Sequence, residues 1–167
     1  MSSRQARDEA ASRWLCALHE GGHAVCAELL GLRTAYVVLG RSPRTSHSRC
    51  RSDLERAVMC WSGAVAEALD SHGPQSPSSW LAQPDHDTLM TLPEAVREEG
   101  LRRAQALLLG DGEVEASVRA VACYLLRYKV CAGVTVRSML KDPSPWPQEP
   151  PRPPGGAPPG YVRRTIR

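Results

Sequence analysis

The chain has 167 residues, 42% of them hydrophobic, which suits one domain with a real core rather than several. Its 21 basic and 18 acidic residues leave a net charge of +3. Arg152, Arg163, Arg164 and Arg167 lie in a C-terminal stretch without an acid, so the body is near neutral and does not suggest a nucleic-acid surface. No apolar run approaches the ~20 residues of a membrane span.

Residues Met1 to Ser12 are polar and charged and lack the apolar segment of a secretory signal, which points to a cytoplasmic protein. A first helix is predicted from about Asp8 to Leu30. Trp14, Leu18, Val25 and Leu29 form one apolar row along it, and Leu15, Cys26 and Leu30 form another. A helix that is apolar nearly all round belongs inside a domain. Gly21 and Gly22 each cost on the order of 1 kcal/mol in a helix interior. Their presence implies that something packs close to the backbone there. Gly31 stops the helix.

That helix carries His19-Glu20-Gly21-Gly22-His23. Four residues are slightly more than one turn, so the two histidines point the same way. Two imidazoles at that spacing can bind one zinc ion, and Glu20 beside them can serve as general base toward a water. The bland alternative is a pair of buried histidines that only hydrogen-bond. A catalytic zinc site needs a third protein ligand from another segment.

Further along, Thr34 to Leu39 is short, β-branched and flanked by glycines, and reads as a strand. Gly40 to Arg51 reads as a polar, basic loop. A second helix is expected over about Asp53 to Leu69 and a loop over His72 to Pro84. A third helix should run from near Asp85 to about Leu109, with a break at Pro93. Helices over Val114 to Tyr128 and Val134 to Leu140 follow. Lys141 to Gly160 is dominated by proline and is expected to be disordered or extended. The fold class is therefore mainly α with one small β element, a domain over residues 1–141 and a Pro-rich basic tail over 142–167.

Six cysteines are present, none paired as Cys-x-x-Cys, so a structural zinc ribbon is not expected. Cys16, His19, His23 and Cys26 share one helical stripe. A straight helix cannot wrap four ligands around one ion, because the outer pair is ~15 Å apart by rise. The two cysteines are read as core neighbours of the site, and all six as reduced.

Three segments, in order, resemble the peptidase domain of FtsH-type ATP-dependent zinc metalloproteases. His19-Glu20-Gly21-Gly22-His23-Ala24 is close to that family's His-Glu-Ala-Gly-His-Ala. Ser62-Gly63-Ala64-Val65-Ala66-Glu67 is similar to its Gly-Gly-Arg-x-Ala-Glu, with Ala64 where arginine is usual. Pro84-Asp85-His86-Asp87 corresponds to the acidic head of a helix that supplies the third zinc ligand. The resemblance spans roughly Arg13 to Leu140 and implies a helical zinc-metallopeptidase fold. It implies zinc held by His19, His23 and Asp85, with Glu20 as general base and Glu67 as a hydrogen-bond partner to a site residue. Asp87 and Glu67 remain rival third ligands, and Asp85 could be only a helix cap. His47, His72 and His86 are read as solvated.

No nucleotide-binding Gly-x-x-x-x-Gly-Lys-Ser/Thr segment occurs in the chain. The resemblance thus implies a stand-alone peptidase domain acting on unfolded polypeptides or peptides, with a separate ATPase or a homo-oligomeric arrangement as a partner. The strand near Tyr36 to Leu39 is a candidate to pair with an extended substrate. The alternative is a catalytically silent metal-binding or regulatory module on the same fold.

Overall fold

A computed structural model of the chain describes residues 3–70 and 82–150, with the side chains of the first helix described from residue 9. In chain order the elements are α1 (Ser3–Leu29), β1 (Thr34–Val38), β2 (Arg44–His47), α2 (Asp53–Glu67), α3 (Gln83–Met90), α4 (Glu94–Leu108), α5 (Gly112–Tyr128), β3 (Val130–Ala132) and α6 (Gly133–Lys141). The molecule is mainly helical, with a small antiparallel sheet in the order β2-β1-β3. No helix among the described residues is long and apolar enough to cross a membrane.

The second half of α1 is the centre of the molecule. Ala17, Leu18, Ala24, Val25, Cys26 and Ala27 are all fully buried, as a helix apolar nearly all round requires. Its two glycines let neighbouring helices approach to backbone distance. A Cβ on Gly22 would overlap Ala66 and the Ser62 carbonyl of α2, and one on Gly21 would stand 3.0 Å from the Val118 carbonyl of α5. Gly31, at φ 72°, takes the left-handed conformation that ends α1. Helix α2 begins at Ser52, whose side chain accepts from the Glu55 amide at 3.1 Å. The Trp61 indole of α2 donates to the Arg97 carbonyl at 2.9 Å, tying α2 to α4.

The break expected at Pro93 is present: α3 and α4 are separate helices, and Pro93, which cannot continue a helix, stands at the N-cap of α4. Two expectations change. The loop expected over Gly40 to Arg51 contains β2, an edge strand whose polar residues give no alternating pattern. A third strand, β3, is only three residues long.

The proline stretch after α6 is attached at its start. Pro143 is buried, and the Trp146 ring meets Tyr124 of α5 edge-on at 5.8 Å between centroids. Residues 143–150 carry no helix or strand. The expected disorder of 151–160 lies outside the described residues, as does the loop at His72.

Candidate metal centre

One turn of α1 sets His19 above His23, and the head of α3 brings Asp85 across from them. Their ligand-capable atoms all lie within 4.8 Å of one another. His19 Nε2 is 3.0 Å from His23 Nε2 and 3.2 Å from Asp85 Oδ2, and His23 Nε2 is 3.4 Å from that same oxygen. Ligands placed tetrahedrally at ~2.0–2.1 Å from one ion stand about 3.3 Å apart. The three separations match that requirement.

The other ring nitrogens decide what faces the centre. His19 Nδ1 lies 2.7 Å from Glu67 Oε1, where it donates. His23 Nδ1 lies 3.0 Å from Ser62 Oγ, and Ser62 spends its own proton on the Met59 carbonyl at 2.7 Å. Ser62 therefore accepts from His23. With both Nδ1 atoms fixed as donors, both Nε2 atoms present lone pairs toward a carboxylate oxygen. Three acceptors converging on one point, with their outer nitrogens held by α2, form a donor set suited to a cation. The residues fit a divalent metal such as zinc, for which two imidazoles and a carboxylate are a suitable set.

The protonation equilibria express the same demand for positive charge. Burial pushes the His19 pKa down, but hydrogen bonds to Asp85 and Glu67, with their charges, outweigh it and raise the pKa to about 9. Burial pushes Asp85 up, but its hydrogen bonds to His19 and His23 hold it far below the ordinary carboxylate range. Without a metal, a proton on His19 relieves the convergence of acceptors.

Glu20 is buried at 6% exposure and is not part of the three-residue cluster. Thr45 of β2 donates to its Oε2 at 2.8 Å. His19, Glu20, His23 and Asp85 all open onto one cleft of ≈ 350 Å³, whose other walls include Pro43, Arg44, Thr45 and His47 from the β2 segment and Arg56, Met59 and Cys60 from α2. The carboxylate of Glu20 thus reaches the cleft beside the cluster.

Of the rival ligands, Asp87 points outward, is exposed, and accepts from Gln83 at 2.8 Å. Glu67 holds the far side of His19. His86 is exposed, while His47, expected to be solvated, is half-buried in the wall of the cleft. Cys26 lies in the core, but Cys16 is exposed although Trp14 and Ala17 on either side of it are buried, so its face of α1 is uncovered at that turn. None of the six cysteines is in a disulfide. Ser62, Thr45 and Gly63 were not singled out by sequence, although Ser62 and Gly63 lie inside the second segment of the resemblance.

The sequence matches no family model, and no curated protein matches it.

Proposed function

We propose that the chain is a zinc-dependent peptidase acting on unfolded polypeptides or peptides. One observation carries this reading: two imidazole lone pairs and a carboxylate converge at the floor of an open cleft, with a second, non-ligating carboxylate beside them. A site built only to hold a structural ion would close around it and would have no use for Glu20. The three ordered segments that resemble FtsH-type peptidase domains support the same assignment.

His19, His23 and Asp85 would hold the metal, and Glu67 and Ser62 keep the two rings in the tautomer that faces it. When bound, the ion would supply Lewis acidity, acidifying a water and polarising the scissile carbonyl. Glu20 accepts the proton of the attacking water on its carboxylate and returns it to the nitrogen of the leaving amine. Thr45 fixes the Glu20 carboxylate through Oε2.

The strand expected to receive an extended substrate, Tyr36 to Leu39, is the central one: β1 pairs with both β2 and β3, and the Leu39 amide donates to the Lys129 carbonyl. Its backbone is therefore taken. Of the two edge strands, β2 is the one whose residues line the cleft, so a peptide would pair there.

The test is metal analysis of the purified protein with cleavage of an unfolded casein-type substrate, with and without chelator. Bound zinc together with chelator-sensitive cleavage supports the reading. Bound zinc without any cleavage would leave a silent metal-binding module in its place.

A further inference from the structure

We propose that the cleft selects peptides with acidic side chains flanking the scissile bond, received by Arg44 and Arg56; this rests on the peptidase reading of the same site. Two acids and two arginines line the walls, and they differ in what they are already bound to. The acids are Glu20 and Asp85, and both are engaged within the site, with Thr45 and with the two histidines. The cations, Arg44 and Arg56, come from different walls.

The arginines are available. Arg44 has no carboxylate partner among the described residues, and its guanidinium stands 5.9 Å from the centre of the Tyr36 ring. Arg56 has only a 3.3 Å pair with Asp53, and both side chains are largely exposed, so a ligand carboxylate can compete for it. The same polarity continues outward. A second cavity of ≈ 440 Å³ shares Cys50 and Arg56 with the cleft and adds Arg49, Arg51 and one acid, Asp53, the partner of Arg56. Arg51 is satisfied by Glu55 at 2.7 Å, whereas Arg49 has no ion pair among the described residues.

A guanidinium recognises a carboxylate with two parallel hydrogen bonds, and here the two guanidiniums are the charges of the cleft left open to a ligand. The partner is a peptide rather than a nucleic acid, because the body as a whole is near neutral and carries no basic stripe of the kind a phosphate backbone needs.

The experiment uses the full metal-loaded chain and three fluorogenic peptides that differ only in carrying Glu, Gln or Lys on both sides of the scissile bond. The Glu peptide should be cleaved about tenfold better in kcat/KM than the Gln peptide, and the Lys peptide worse than either. Arg44→Gln and Arg56→Gln should each bring the Glu peptide toward the Gln peptide, and raised salt should shrink the gap. Equal cleavage of the Glu and Gln peptides overturns the proposal.

If no peptide is cleaved, binding to Glu20→Gln read by fluorescence anisotropy separates the two readings. Tighter binding of the Glu peptide, lost in Arg44→Gln, supports acidic selection and overturns the peptidase reading alone; equal binding overturns acidic selection. An oligonucleotide of the same charge that binds more tightly than the Glu peptide overturns the choice of a peptide.

Discussion

Gly63 of α2 lies directly under the imidazole of His19, so close that a Cβ there would collide with the Nε2, Cε1 and Cδ2 atoms of the ring. The helix that supports the ring from below thus has no side chain at the point of contact. Gly63→Ala must push α2 away or turn the ring off its axis. We expect at least about tenfold weaker metal binding and a stability loss of about 1–3 kcal/mol, the scale of overpacking in a core. Metal titration and urea melts check both, and unchanged affinity would show that the contact is soft.

Zinc content should be about one per chain and should fall sharply in His19→Ala, His23→Ala and Asp85→Ala. Asp87→Ala should keep its metal, since that carboxylate faces away and is paired with Gln83. Loss of metal from Asp87→Ala with retention by Asp85→Ala would reverse the assignment of the third ligand.

Glu20→Gln keeps the shape of the side chain and removes its ability to take a proton. It should bind zinc and melt like the parent chain while cleaving at least about a hundredfold more slowly, the scale of a positioned general base. Full activity in this variant would move the proton transfer to another residue.

The metal-free chain should lose stability as pH rises. Folded His19 holds its proton up to about 9, against 6.5 for the ordinary group. The resulting stabilisation is complete below 6.5 and is lost as pH climbs through about 9. Chelated protein should therefore melt at a lower temperature near the top of that window than at its bottom, and His19→Gln should flatten the profile. Zinc uptake at neutral pH should release a proton, visible as a calorimetric enthalpy that varies with the buffer. A melting temperature constant across the window would contradict the raised pKa.

Deleting everything after Lys141 should destabilise the chain by about 1–2 kcal/mol, the worth of a half-buried aromatic and its ring contact. Trp146→Ala should reproduce most of that loss, because Trp146 is what rests on Tyr124. Identical thermal melts of the parent and the truncated chain would show that the contact contributes nothing.

The part of the site on α1 was legible because helical periodicity alone puts His19 and His23 on one face and brings in the neighbouring Glu20. The glycine pair was legible too: Gly21 and Gly22 announce close neighbours, although not which ones. What escaped depends on contacts between segments distant in sequence. Thr45 sits in a strand whose polar residues look like a loop, and only folding carries it to Glu20, 25 positions earlier. Ser62 reads as a small helix residue until His23, 39 positions away, is placed against it. Trp146 lies in a proline-rich stretch whose composition suggests no packing, yet one large aromatic suffices to anchor its start. Cys16 misled in the opposite sense: it lies on the stripe of His19, but at its turn α1 is covered only on the faces of Trp14 and Ala17.

The short helix α3 gives the site a further property. It is eight residues long and buries only Leu89, too little to hold itself in place by apolar contact. Its remaining hold on the body includes Asp85, reaching residues 66 positions earlier in the chain. An ion bridging those residues would act as a clasp, turning the attachment of α3 from a loose local equilibrium into part of the global one. Stripping the ion should then raise amide exchange in α3 selectively, while the buried half of α1 stays protected, so that this one helix reports whether the clasp is closed.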